Sequence, residues 1–179
     1  VVFAQGPIGL CATAGARLLG ATTIIAVDGN DHRLGISKKM GADVTLNFKN
    51  CNVVDEIMKL TGGKGVDSSI EALGTQATFE SALRVLKPGG TLSSLGVYSS
   101  DLKIPLTAFA AGLGDHKINT ALCPGGKERM RRLMNVVESG RIDLGVMVTH
   151  QYKLDNIVEA YDLFANQRDG VLKVAIKPR

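Results

Sequence analysis

Apolar and polar positions along the chain follow two periods in alternation. Val1, Val2 and Phe3 make a short strand-forming run. Ile8 to Leu19 is then almost wholly apolar or small, with Arg17 its only charge, which predicts a helix buried on most sides and ended by Gly20. Thr23 to Val27 is a continuous apolar and β-branched stretch of the kind found in parallel strands covered on both faces, and it ends at Asp28. A second helix starts at Asn30 or Asp31 and stops at Gly41, and Val44 to Leu46 returns as a short strand. Val53, Val54, Ile57 and Met58 form a helical stripe that ends at Thr61-Gly62-Gly63, before a strand over Val66 to Glu71. Phe79, Ala82, Leu83 and Leu86 stand at i, i+3, i+4 and i+7, which predicts a helix running to Pro88-Gly89-Gly90. Thr91 to Val97 then reads as a strand.

Strand alternates with helix throughout this part. That order forces parallel pairing through right-handed crossovers, and so an α/β doubly wound parallel sheet with helices on both faces. From Ser99 the rhythm changes. Leu102 to Leu106 reads as a short strand confined to an edge by Pro105, and Phe109 to Gly114 as an apolar glycine-spaced loop before Lys117 to Leu122. A helix around Met130 to Val137, a second from Asp155 with Ile157, Tyr161 and Phe164 on one face, and a closing strand over Val171 to Ile176 complete the chain. With 179 residues, 45% of them hydrophobic, one domain is expected, residues 1–179, with a core over 1–122 and a C-terminal segment over 123–179.

The turn after the first strand carries candidate chemistry. Its spacing, Ala4-x-Gly6-x-x-Gly9, is the dinucleotide fingerprint with alanine in place of the first glycine. Gly6 permits close backbone approach to a pyrophosphate, Gly9 permits close helix–strand packing, and Pro7 presets its φ where a first-turn N–H has no helical partner. Asp28 closes the second strand nineteen positions after Gly9, where such a site places the acid that accepts hydrogen bonds from the adenosine ribose. Each feature also has a plainer reading, as a strand–helix turn and a turn aspartate before Gly29. Their agreement in spacing favours dinucleotide binding. Ala72-Leu73-Gly74 and Gly96-Val97-Tyr98 follow strands and so belong to the same carboxyl edge, where ligands of open α/β sheets bind.

Composition narrows the partners. The net charge of +4 has one dense source, Lys127, Arg129, Arg131 and Arg132, on a stretch whose apolar residues follow helical spacing. With aromatics at only 4%, nothing stacks nucleic-acid bases, so a solvated helix face is expected there and no nucleic acid. Cys11, Cys51 and Cys123 are scattered and odd in number, as are His32, His116 and His150, so neither a disulfide framework nor a metal site is expected, and a reducing, cytoplasmic setting fits. No signal peptide precedes the first strand and no apolar run reaches the roughly 18 residues of a membrane span, so no membrane is expected. Without an initiator methionine, and with three apolar residues before the turn, the chain is expected to be a piece of something longer.

VVFAQGPIGL, IIAVDGNDHRL, GKGVDSSIEALG, VLKPGGTLSSLGVY and VLKVAIKP together resemble the Rossmann cofactor-binding half of the medium-chain zinc-dependent alcohol dehydrogenases. DHKINTALCPGG and VTHQY resemble the bacterial secondary-alcohol branch. The resemblance spans essentially the whole chain. It implies NAD(P)-dependent hydride transfer between small alcohols and ketones or aldehydes. It also implies zinc, in a catalytic domain that lies before the first strand here, so that this chain alone is an incomplete catalyst with no catalytic or metal residue of its own. On that resemblance Gly6, Pro7, Ile8 and Gly9 match the pyrophosphate turn, Asp28 the ribose-binding acid and Arg33 a position near the adenine. Ala72 and Gly74 match the adenosine-side turn, Gly96, Val97 and Tyr98 the turn by the nicotinamide ribose, and Leu122 and Cys123 backbone near the carboxamide. Lys173 matches a basic residue that reaches the pyrophosphate, and reads equally as an exposed strand lysine. The resemblance further implies a homodimer or tetramer formed through the edge around Leu102 to Leu122.

NAD is the cofactor expected, with NADP less favoured. NADP-using members of that branch typically carry a glycine where Asp28 stands, and Arg33 is the one residue here that could turn towards a 2′-phosphate. Two other classes fit the same residues: an S-adenosylmethionine-dependent methyltransferase, which also uses a doubly wound sheet, a glycine turn and an acid after the second strand, and a non-enzymatic nucleotide-sensing module.

Overall fold

In a computed structural model of the chain, which describes residues 1–178, there are two compact units, Val1–Gly125 and a second from Gly126 onward. In the first unit, β1 (Val2–Phe3), β2 (Ile25–Asp28), β3 (Val44–Asn47), β4 (Val66–Glu71), β5 (Leu86–Ser94) and β6 (Lys117–Thr120) form one sheet of order β3-β2-β1-β4-β5-β6. Every neighbouring pair is parallel. The helices α1 (Pro7–Leu18), α2 (Asp31–Lys39), α3 (Val53–Leu60) and α4 (Gln76–Arg84) are the connections. This is the doubly wound Rossmann order, which reverses direction between β1 and β4 and opens a crevice at the carboxyl ends there.

The pattern of side chains explains the two covered faces. Because neighbours in a strand point to opposite sides, Ile25 and Val27 join Phe3, Ile57, Phe79, Leu83 and Leu92 in the larger core, while Ile24 and Ala26 pack with Ala42, Ala16 and Ala21. Local chemistry sets the helix starts. Asn30 accepts from the N–H groups of His32 and Arg33, Asn52 from those of Val54 and Asp55, and Thr75 from that of Thr78.

Three expectations are corrected. Leu86 is not the last turn of α4 but the first residue of β5, paired with Val66; the register then jumps to Ser68 opposite Thr91, so Pro88-Gly89-Gly90 bulges within a strand instead of stopping a helix. β5 ends at Ser94, before the expected Val97, because the chain turns off to pack Gly96 against Gly74. Leu102 to Leu106 forms no strand. Gln76 substitutes for a ladder there, donating to the Lys103 carbonyl at 2.7 Å and accepting its N–H at 2.9 Å, while Pro105 has no N–H to offer. The strand at this edge of the sheet is β6, which is exposed along its length.

The second unit holds α5 (Lys127–Glu138), β7 (Val148–Lys153), α6 (Ile157–Ala165) and β8 (Lys173–Lys177), with β7 and β8 paired in parallel. β7 carries alternating polar residues and was not legible as a strand by periodicity. On α6 the buried residues are Ala160 and Leu163, whereas Tyr161 and Phe164 are exposed. On α5, Glu128 bonds both Arg131 and Arg132, so part of the basic cluster is paired on the helix surface. No helix among the described residues is long and apolar enough to cross a membrane.

Ile57 is fully buried where α3 meets the larger core. Ile57→Ala is expected to cost about 2–5 kcal/mol of the first unit's stability. Urea unfolding read on that unit checks it, through a lower midpoint at unchanged slope.

Candidate functional site

The carboxyl edge at the β1/β4 switch is built by three turns. The first leaves β1 through Ala4, whose φ of 69° lies in the left-handed region that costs a non-glycine residue about 1–2 kcal/mol. That is the position where the fingerprint has glycine. The turn keeps this geometry despite alanine because the Ala4 N–H bonds the Val27 carbonyl at 2.9 Å, and because α1 closes directly over the turn. A Cβ on Gly9 would lie 1.8 Å from the Ala4 carbonyl oxygen, so only glycine lets the helix approach.

Gly6 is different. Its φ of −70° suits any residue, and a Cβ there would meet nothing within 4 Å. No neighbour in the chain requires glycine at this position. Gly6 is the N-cap of α1 and offers no side-chain cap, Pro7 has no N–H, and the first helical bond runs from the Leu10 N–H to the Gly6 carbonyl. The amides of Ile8 and Gly9 therefore lie ahead of that bond at the positive end of the helix. A phosphate fits this open, donor-rich turn.

Asp28, 7% exposed at the end of β2, is held by two backbone donors: the Gln5 N–H on Oδ2 at 2.6 Å and the Asn30 N–H on Oδ1 at 2.9 Å. It is thus both a turn aspartate and an acid fixed beside the glycine turn. Gln5, fully buried, ties the arrangement together, since its Nε2 donates to the Val2 carbonyl and its Oε1 accepts from the Thr13 hydroxyl. Phe48 lies over the same turn, its ring so close to Gly29 that a Cβ there would sit 2.4 Å from Cζ. Arg33, on the first turn of α2, has a buried Nε with no partner among the described residues.

The other two turns follow β4 and β5. Gly74 has φ 95°, and a Cβ there would lie 2.3 Å from the Val97 carbonyl oxygen; a Cβ on Gly96 would lie 2.2 Å from the Gly74 nitrogen. The two glycines are therefore explained by the packing of one loop into the other. Beneath them, Glu71 is fully buried. Its Oε1 accepts from the N–H groups of Leu73 and Gly74, both at 2.8 Å, and from the Thr78 hydroxyl at 2.7 Å, while its Oε2 accepts from the Tyr98 hydroxyl at 2.7 Å. The same hydroxyl lies 2.6 Å from Ser94 Oγ, and the Tyr98 ring meets Phe79 edge to face at 6.1 Å. Burial, with a lesser contribution from the Glu71 carboxylate, pushes the Tyr98 phenol up to about 12.

Of the residues singled out from the sequence, Gly6, Pro7, Ile8, Gly9 and Asp28 come together at the first turn, with Arg33 on the following helix. Ala72, Gly74, Gly96, Val97 and Tyr98 come together at the other two turns. Leu122 and Cys123 lie on exposed chain after β6, and Lys173 opens β8 in the second unit, also exposed. Sequence reasoning missed Gln5, Phe48 and Glu71. Only Glu71 carried a signal, as an acid ending a strand bound for the interior. No group of three or more His, Cys, Asp or Glu among the described residues could hold a metal ion.

An open parallel sheet of order 3-2-1-4-5-6 with a donor-rich glycine turn and a fixed acid at the switch point defines a dinucleotide-fold protein. The family pattern described as "Zinc-binding dehydrogenase" matches residues 7–139, and the chain belongs to that family. It is 86% identical over 177 residues to an alcohol dehydrogenase of Cupriavidus necator, covering 99% of this chain and 48% of that protein. It is 38% identical over 179 residues to the NADP-dependent isopropanol dehydrogenase of Clostridium beijerinckii, covering 98% and 51%. Among solved structures, the zinc-dependent alcohol dehydrogenase 2 of Streptococcus pneumonia superposes with a TM-score of 0.90 at 30% identity, over 98% of this chain and 50% of that one. The chain spans about half the length of the curated relatives it matches. These relatives lend no support to a methyltransferase or a nucleotide-sensing module.

Two outcomes check this geometry. Ala4→Gly is expected to stabilise the first unit by up to about 1 kcal/mol, the left-handed strain relieved less the added freedom of the unfolded chain, whereas Gly9→Ala loses several times as much in the same thermal melts. On alkaline titration, one of the three tyrosines is expected to ionise near pH 12 by phenolate absorbance, a phase absent from Tyr98→Phe. Because that phenol is raised above its unfolded value of about 10, the stability it contributes is complete below pH 10 and falls as pH rises towards 12.

Proposed function

We propose that this chain binds the nicotinamide dinucleotide of an alcohol dehydrogenase that interconverts small alcohols with ketones or aldehydes, and that it prefers NAD to NADP. The observation that carries the reading is Gly6, a glycine with no internal reason to be one, facing open space at the start of α1. Close approach of a pyrophosphate supplies the reason. When bound, the dinucleotide supplies the hydride acceptor or donor. The residues of this chain bind and orient it: Ile8 and Gly9 amides at the phosphates, Asp28 at the adenosine ribose, and the loops carrying Ala72, Gly74, Gly96, Val97 and Tyr98 along its length.

Asp28 supports NAD. Its carboxylate, buried and held by the Gln5 and Asn30 amides, is fixed in place, so a 2′-phosphate would meet like charge there. Arg33, with its unpartnered Nε, is the feature that favours a phosphate, and relatives named NADP-dependent isopropanol dehydrogenases exist at 38% identity. Asp28 outweighs it because two backbone N–H groups fix the acid at the strand end, whereas no partner among the described residues aims the Arg33 Nε.

The unpaired, exposed edge of β6 supports self-association into a homodimer or larger homo-oligomer. Light scattering across the micromolar range is expected to give more than the monomer mass, and a monomer throughout overturns this part.

Calorimetric titration tests the cofactor. NADH is expected to bind at least about tenfold more tightly than NADPH, with Asp28→Gly narrowing or reversing the difference. Gly6→Ala is expected to weaken NADH by about tenfold or more without lowering the melting temperature. NADPH binding as tightly as NADH to the unmodified chain overturns the preference. Absence of binding by either overturns the reading.

A further inference from the structure

We propose that Glu71 is a positioning residue that joins the two cofactor-facing loops after β4 and β5 into one preformed surface. The inference rests on the dinucleotide reading above, and it assigns a task to a residue that does not itself face the open turn.

Four observations point to it. Glu71 is fully buried, and a carboxylate taken from water without partners is among the most costly groups to bury. Its four donors do not come from one element. Leu73 and Gly74 belong to the loop after β4, Thr78 to α4 and Tyr98 to the loop after β5. The two oxygens divide the work, Oε1 serving the first loop and Oε2 the second. The strand itself adds a further tie, because the Leu95 N–H donates to the Glu71 carbonyl at 2.8 Å.

The glycines make this joint sensitive. With Gly96 packed against Gly74, and with a Cβ on Gly96 only 2.5 Å from Glu71 Oε2, the loops have no slack to take up a missing partner. Removing the carboxylate leaves the Leu73 and Gly74 amides without their acceptor and turns the Thr78 and Tyr98 hydroxyls away to the Thr75 carbonyl and Ser94, so the tie between the loops is lost. A loosened pair of loops must then be ordered by the ligand, and that cost appears in affinity. A purely structural role would instead lower the melting temperature and leave the folded molecules binding as before.

The test measures NADH affinity well below the melting temperature, corrected for folded fraction, with amide hydrogen exchange on the ligand-free protein. Glu71→Ala is expected to bind NADH roughly tenfold more weakly. Glu71→Gln keeps an acceptor for the Oε1 donors and lets the Tyr98 hydroxyl reverse towards Ser94, so it is expected to bind within roughly threefold of the unmodified protein. Tyr98→Phe covers the case in which Glu71→Ala does not fold. Although the change lies in the loop after β5, it is expected to accelerate exchange at the Leu73 and Gly74 amides in the other loop and to weaken NADH. Unchanged affinity in Glu71→Ala, or unchanged exchange at Leu73 and Gly74 in Tyr98→Phe, overturns the inference while the cofactor reading stands. An unmodified protein that binds no NADH overturns both.

Discussion

Everything at the carboxyl edge depends on how closely α1 approaches the end of β1. The Gly9 Cα lies so near the Ala4 carbonyl that a methyl group there would overlap the oxygen. That contact directs the helix axis at the crevice beside β4 and leaves the first amides of α1 ahead of its first internal bond. It also holds Ala4 in a left-handed conformation that alanine avoids, so part of the packing energy of α1 offsets backbone strain at the turn. Gly6, two residues beyond Ala4, then faces outward with room to spare. The fold requires one of these glycines and not the other.

Two buried acids organise what surrounds that turn, and they do so in the same way. Asp28 and Glu71 both end strands that flank β1, and each accepts from two neighbouring loops, Asp28 from backbone N–H groups alone and Glu71 from backbone N–H groups on Oε1 and the Tyr98 hydroxyl on Oε2. Charge-assisted bonds of this kind are stronger than neutral ones and demand particular positions of their donors. Each acid therefore converts a flexible turn into a defined one. Asp28 sets the turn between β1 and α1 against that after β2, and Glu71 sets the turn after β4 against that after β5. Among the described residues of the second unit no buried acid plays this part. Its helices carry exposed apolar residues, Met130, Leu133 and Met134 on α5 and Tyr161 and Phe164 on α6, and its two strands form a small sheet of their own.

The fold class was legible because each element of the first unit carries its own period. A buried parallel strand such as β2 reads as an unbroken apolar run, an amphipathic helix such as α3 as a stripe, and the order of the two admits few topologies. The glycine turn and Asp28 were legible for a related reason: their spacing is set by one local strand–turn–helix–strand path. The misreadings fall where pairing with a distant segment overrode the local pattern. Leu86 continues the helical stripe of α4 in sequence, yet its hydrogen bonds are made with β4. Pro105 suggested an edge strand, yet the Gln76 side chain takes the backbone groups of Lys103 that a ladder would have used. β7 was invisible because its residues alternate without a clear apolar face and its partner follows twenty residues later.

By itself, then, the sequence determined the alternation of strands and helices, the parallel order that follows from it, and the position of the glycine turn between β1 and α1. These are properties of neighbouring residues, and neighbouring residues suffice to express them. Only the tertiary structure decided that Gly6 is open while Gly9, Gly74 and Gly96 are packed shut, that Gln5 locks Asp28, and that Glu71 joins two loops separated by a helix and a strand. A glycine looks the same in a sequence whether a ligand or another loop takes the place of its side chain. The difference lies in what approaches it from elsewhere in the chain.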